Sequence, residues 1–288
     1  MKKNEIVLYT AITGSYDKLN EIPKEFYFPD KIDYICLTDN SNITSKTYQI
    51  IKINLIKNDL KLTQRYYKIM INDYIKSYKK SIYIDGNMIL KQNIFDLIDK
   101  LVSCDIICFK HYKRNCLYQE SAALLHPYKQ IGVKQNIVPL IQYIKKQNYP
   151  KMFGLTATGV LIRNHTKDII KTMTDWFYFI QNYCRRDQLS FMYCIWKNNI
   201  NILLLEQKNL YYYVTICKHK KKYNRTRLAN INTEWKNQKG DWLEGYDPYE
   251  NRKYYFNKIN RLCKWNLDDD YCEEHYKFLE LGIQAIHI

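Results

Sequence analysis

Four short apolar runs, each closing on turn-forming or acidic residues, most constrain what this chain can fold into. Residues 6–12 (IVLYTAI) run into Thr13-Gly14-Ser15-Tyr16-Asp17, and residues 32–39 (IDYICLTD) into Asn40-Ser41-Asn42. Residues 81–84 (SIYI) run into Asp85-Gly86-Asn87, and residues 105–109 (DIICF) into a polar segment from His111 to Glu120. Apolar runs of this length, bounded by such residues, read as buried strands. Between them lie segments of helical period. Residues 60–80 hold no Pro or Gly and place Tyr67, Ile71, Tyr74 and Ile75 on one helical face. Further helices are predicted over about 94–102, after the polar segment to about 146, over 166–182 and over 186–196. Residues 152–163 read as a glycine-punctuated loop entering a strand, and 211–216 as a late strand. This alternation predicts an α/β fold with a mixed, mainly parallel sheet. No linker or repeat divides the chain, so a single domain over 1–288 is expected. Its motif-bearing core spans 6–217, and a less regular basic and aromatic extension spans 218–288, ending in a helix.

Composition narrows the class. The 288 residues are 46% hydrophobic and 26% charged, with 8 Gly and 6 Pro, a globular rather than a disordered balance. No apolar stretch reaches the roughly 18 residues of a membrane span. The apolar run near the start is short and reads as a strand, not a signal peptide, so a cytoplasmic location is expected. Nine cysteines without a CxxC pair read as free thiols in a reducing compartment. The formal net charge of +16 attracts nucleotide phosphates, anionic glycans, nucleic acid or an anionic membrane. The basic residues are spread along the chain and carry no nucleic-acid-binding signature, so no nucleic-acid partner is expected. The run from Lys218 to Lys222, with Arg225 and Arg227, suits peripheral contact with anionic lipid.

The chemistry-bearing feature is Asp85-Gly86-Asn87 at the end of a strand. Ligands of open α/β sheets bind outside the carboxyl ends of the strands. Two oxygen-bearing side chains two residues apart, with a glycine at the bend, can face one hard divalent cation. The same three residues also make an ordinary turn. Arg65 and Lys68, three apart on the preceding helix, can reach the same phosphates or stand as two solvated cations. Asp187, after Arg185 and Arg186, opens a helix, where it can prepare an acceptor hydroxyl or cap the helix. His111, Arg114 and Glu120 form a mixed-charge cluster in which Glu120 competes with Asp187 for the catalytic carboxylate.

Taken in order, these pieces resemble a known group. They are Tyr9 to Leu19, Tyr34 to Asp39, Arg65-Tyr66-Tyr67-Lys68 and Ser81 to Asn87. After these come His111 with Arg114, Cys116, Tyr118 and Glu120, then Gly154-Leu155 with Gly159 and Arg163, and lastly Arg186 to Phe191. Together they are similar to the glycosyltransferase-like family that includes plant mucilage-related glycosyltransferases and bacterial polysaccharide-cluster proteins. The resemblance implies a GT-A-like fold, a single Rossmann-like nucleotide-sugar-binding domain. Asp85 and Asn87 stand where such enzymes carry an acidic metal motif, here closed by a neutral, weaker ligand. It further implies that Tyr9, Thr10 and Ala11 hold the base and ribose, and that Asp39 takes a base or ribose hydrogen bond. His219 can complete the metal shell, although a histidine in a lysine run is also simply solvated.

The expected activity is sugar transfer from a UDP- or GDP-sugar to a saccharide or lipid-linked glycan hydroxyl, with Mn²⁺ or Mg²⁺. Asp85, Asn87 and His219 would hold the metal, Arg65 and Lys68 the leaving diphosphate, and Asp187 or Glu120 the acceptor proton. A nucleotidyltransferase and a basic nucleic-acid-binding protein are the alternatives.

Overall fold

The computed structural model describes residues 4–125, 137–219, 238–247, 252–257 and 263–264. Along the chain run β1 (Ile6–Ile12), β2 (Ile32–Thr38), β3 (Gln49–Lys52), α1 (Leu60–Ile69), β4 (Lys80–Ile84), β5 (Met88–Leu90), α2 (Phe95–Lys100), β6 (Ile106–Lys110), α3 (Leu117–Leu125) and α4 (Ile137–Lys146). They are followed by β7 (Thr156–Asn164), α5 (Lys167–Asn182), α6 (Gln188–Lys197), β8 (Ile202–Leu205), α7 (Gln207–Tyr213) and β9 (Val214–Ile216). Strands β10 (Gln238–Lys239), β11 (Trp242–Asp247), β12 (Arg252–Asn257) and β13 (Cys263–Lys264) come last. Internal contacts divide the chain into two units, Met1–Leu117 with Pro150–Lys222, and Tyr118–Tyr149 with Tyr223–Ile288.

The first unit is built on a seven-stranded sheet of order β3-β2-β1-β4-β7-β6-β8. β3, β2, β1 and β4 are mutually parallel, β7 is antiparallel to β4 and β6, and β8 is parallel to β6. This is the mixed, mainly parallel sheet expected from the sequence. The chain leaves β1 toward β2 and β3, then crosses through α1 to β4 on the other side of β1. The crevice beyond the ends of β1 and β4 is therefore a switch point.

Strand alternation sends side chains to two layers. Leu8, Ile12, Ile82, Ile84, Phe109 and Ile162 join one core, with Leu97 and Ile98 of α2 and Leu210 and Tyr213 of α7. Tyr9, Tyr83 and Arg163 take the alternate positions. Helices α1, α5 and α6 pack together, α1 against β1 and α6 against β7. A small antiparallel pair, β5 with β9, follows the Asp85 turn.

Three expectations are corrected. The helix over 60–80 stops at Ile69. The Asn72 side chain accepts from Tyr74 N at 3.0 Å and donates to Met70 O at 3.2 Å, a local turn that replaces the next helical bonds. The strand over 211–216 is only Val214–Ile216, because Tyr211 to Tyr213 complete α7. The polar segment from His111 to Glu120 is already helical from Leu117.

In the second unit, Ile137, Leu140, Ile141 and Ile144 bury one face of α4. Tyr118 donates to Tyr149 O at 3.2 Å, and β10 to β13 form a separate four-stranded antiparallel sheet. The expected terminal helix and the basic run beyond His219 lie outside the described residues. Among the described residues, no helix is long and apolar enough to cross a membrane.

Candidate active site

A cavity of about 420 Å³ lies at the switch point and is lined entirely from the first unit. Its charged residues are Lys68, Asp85, Arg186 and Asp187, and the His219 imidazole lines it beside them.

Asp85 follows the last residue of β4. Its N–H donates to Gly159 O on β7 at 2.8 Å, which fixes the turn. The Tyr83 hydroxyl donates to its Oδ1 at 2.8 Å, and Lys68 Nζ stands 3.4 Å from the same oxygen. Burial and the neighbouring Asp85 charge push the Tyr83 hydroxyl well above its ordinary pKa, so it remains a donor. Oδ2 faces Gly159, where an added Cβ would lie 3.0 Å from that oxygen and 2.4 Å from Met88 Cε. The Asp85 side chain is 31% exposed against 6% for Asp187, so Asp85 is the carboxylate that a ligand can reach.

Lys68 is delivered by the last turn of α1, which begins on the Asp59 side chain accepting from Leu62 N at 2.9 Å. Its buried ammonium bonds Asp187 Oδ2 at 2.8 Å, and the Thr158 hydroxyl donates to the same oxygen at 2.9 Å. Arg65 Nε is 3.6 Å from that oxygen. Asp187 opens α6 but makes no side-chain cap, so its carboxylate serves the cavity rather than the helix end. Trp176 of α5 holds the Asp187 carbonyl through its indole N–H at 3.0 Å. Burial pushes the Asp187 carboxyl up, but Arg65, Lys68 and Arg186 outweigh it and hold the group well below the usual carboxylate range. A carboxylate so held is a weak proton acceptor at neutral pH.

Asn87 is clamped in both directions to the segment after β9. Its Nδ2 donates to Cys217 O at 2.8 Å, and its backbone carbonyl accepts from Cys217 N at 2.7 Å. Two residues on, His219 Nδ1 meets Asp17 Oδ1 at 2.8 Å, with the Tyr16 ring 4.7 Å away. The β5–β9 pair thus brings Asn87 and His219 to one cavity. Among the described residues, no three His, Cys, Asp or Glu side chains converge as a metal cluster. Asp85, Asn87 and His219 nevertheless line the same cavity, and a carboxylate, an amide oxygen and an imidazole are donor types that a divalent cation accepts.

Other sequence candidates stand elsewhere. Tyr9, Thr10 and Ala11 are buried in β1, and the Tyr9 hydroxyl is committed to Lys68 O at 2.8 Å. Asp39 accepts from Gly14 N at 2.7 Å, bracing the loop after β1, where Gly14 has φ +60°. His111 Nδ1 accepts from the N–H groups of Lys113 and Arg114. Glu120 belongs to the second unit and is buried.

The sequence reading missed Gln207, Leu210 and Tyr211, which line the cavity together with Tyr112 and Ile216. Their i, i+3, i+4 spacing places all three on one face of α7. That periodicity was the available signal, masked by reading the tyrosine run as a strand.

Residues 1–219 match the TOD1/MUCI70, glycosyltransferase-like domain. No curated protein matches the chain. Among solved structures, the apo form of WbbM, a bifunctional glycosyltransferase, is similar at 11% identity and a TM-score of 0.40, over 69% of this chain and 38% of that one. GlyE, a glycosyltransferase of Streptococcus pneumoniae TIGR4, is similar at 12% identity and a TM-score of 0.38, over 73% of this chain and 47% of that one. The chain therefore spans less than half the length of either. The architecture is a mixed, mainly parallel α/β sheet. With three quarters of its length matched, the chain belongs to the TOD1/MUCI70 glycosyltransferase-like family.

Proposed function

We propose that this protein is a glycosyltransferase that moves a sugar from a nucleoside diphosphate donor to a hydroxyl of a saccharide or glycoconjugate. The observation that carries this reading is the chain Asp85–Lys68–Asp187, in which one buried ammonium joins two carboxylates at the switch-point cavity.

Asp85, Asn87 and His219 would hold Mn²⁺ or Mg²⁺. A bound divalent cation supplies Lewis-acid charge to the diphosphate as it departs. Lys68 and Arg65 are the cationic counterparts of that diphosphate, one a mobile point charge and the other a rigid fork. The strongly held charge of Asp187 suits it to positioning Lys68 and Arg65, so we assign it that role rather than the general base. The face of α7 carrying Gln207, Leu210 and Tyr211 offers an amide and an aromatic ring to a sugar, the combination suited to an uncharged polyhydroxyl ligand.

Calorimetric titration of UDP and GDP, with and without Mn²⁺, tests the donor site in wild type and Asp85→Ala. Metal-dependent binding of one nucleotide, lost in the variant, is expected. Equal binding by the two proteins would overturn the assignment of Asp85.

A further inference from the structure

Arg163 is fully buried near the end of β7, opposite Ser81 of β4 and Ile106 of β6. Among the described residues its guanidinium has no carboxylate partner. It donates instead through one terminal nitrogen to Ile69 O at 2.7 Å, and through the other to the Tyr9 hydroxyl. Tyr9 in turn donates to Lys68 O at 2.8 Å, and the guanidinium carbon lies 5.9 Å from the Tyr9 ring centroid. The Arg163 Nε has no partner.

Burying a guanidinium without a counter-ion is costly, and an apolar side chain would fill the same space without that cost. The charge is directed at the Ile69 carbonyl and, through the Tyr9 hydroxyl, at the Lys68 carbonyl. These belong to the last turn of α1, whose carbonyls lack helical partners and carry the negative end of the helix dipole. The turn is also short of its expected continuation, since the chain leaves the helix at Met70. Without an anchor there, the backbone that carries Lys68 would be free to fray.

We infer that Arg163 and Tyr9 form a buried strut that positions Lys68, holding its backbone so that its ammonium reaches Asp85 and Asp187 together. Arg163 and Tyr9 are positioning residues, not groups that touch substrate. The strut itself is independent of activity, and its consequence for sugar transfer rests on the functional reading above.

Competitive amine labelling of the intact chain, read residue by residue by mass spectrometry, tests the strut without substrate. Tyr9→Phe keeps the ring and removes the bridging hydroxyl. Arg163→Met is a second variant that removes the fork. Lys68 is expected to be labelled at least about tenfold faster in Tyr9→Phe than in wild type, while the exposed Lys57 is unchanged. The buried Cys36 and Cys194 thiols are expected to stay protected, which separates local release from general loosening. Unchanged labelling of Lys68, or Lys68 and both thiols opening together, would overturn the inference. A double-variant cycle then links the strut to chemistry through nucleoside diphosphate release from a donor sugar. Tyr9→Phe is expected to lower kcat/KM at least about fivefold with Lys68 present, and to add nothing in a Lys68→Met background. Additive losses would mean that Tyr9 does not act through Lys68. If wild type turns over no donor, the functional reading fails while the labelling result still decides the strut.

Discussion

The Lys68 ammonium lies 2.8 Å from the Asp187 carboxylate, although 119 residues separate them in sequence. The pair is buried, and Arg65 and Thr158 converge on the same carboxylate oxygen. Removing one partner of such a pair leaves an uncompensated charge, which costs about 3–5 kcal/mol. Asp187→Asn is expected to lose stability of that order at pH 7, measured by chemical denaturation.

The pH dependence of that loss has a definite sign. Positive neighbours depress the folded-state pKa of Asp187 below its unfolded value. Its contribution is therefore complete above the ordinary carboxylate pKa of about 4 and declines as pH falls toward the folded value. The stability gap between wild type and Asp187→Asn should be flat from pH 5 to 8. Below about pH 4 it should narrow by about 1.4 kcal/mol per pH unit. A gap that stays constant down to pH 3 would contradict the assignment.

Gly159 is a second place where activity and stability should separate. A Cβ there meets the flexible end of Met88 and the Asp85 Oδ2 atom. Met88 can give way, so Gly159→Ala should cost no more than about 1–2 kcal/mol in thermal or chemical unfolding. Asp85 cannot shift without losing its Tyr83 bond or its place in the cavity, so affinity for nucleoside diphosphate should fall at least about tenfold, equivalent to 1.4 kcal/mol.

Tyr211 tests the acceptor side. It is 49% exposed, lines the cavity and receives a hydrogen bond from Gln207 at 2.7 Å. Tyr211→Ala should raise the acceptor KM by about tenfold, roughly the worth of one aromatic stacking contact. Hydrolysis of the donor sugar in the absence of acceptor should be unchanged. Loss of both activities together would move Tyr211 to the donor site.

The sequence made the scaffold legible where local pattern and burial agree. β1, β2, β4 and β6 are apolar runs bounded by turn residues, and α5 and α6 fall close to their expected bounds. The strand-end position of Asp85 followed from the same reasoning. Where side-chain chemistry overrides periodicity, the reading failed. Asn72 ends α1 with its own hydrogen bonds, and three consecutive tyrosines suited to a strand instead close α7. The site was legible as residues and not as an arrangement. Nothing local shows that Asp187 leaves its helix uncapped to pair with Lys68, or that Tyr9 supports Lys68 from within the core. Both depend on contacts between distant segments, and the Asn87–Cys217 clamp spans 130 residues.

The most direct measurement of the central claim is nucleoside diphosphate release across a panel of donor sugars, with Mn²⁺ and with chelator, in wild type, Asp85→Ala and Lys68→Met. Metal-dependent release from one donor, reduced about a hundredfold or more in both variants, is the expected result. Release that is equal in all three proteins, or absent from wild type with every donor, would contradict the assignment of this cavity as a sugar-nucleotide site.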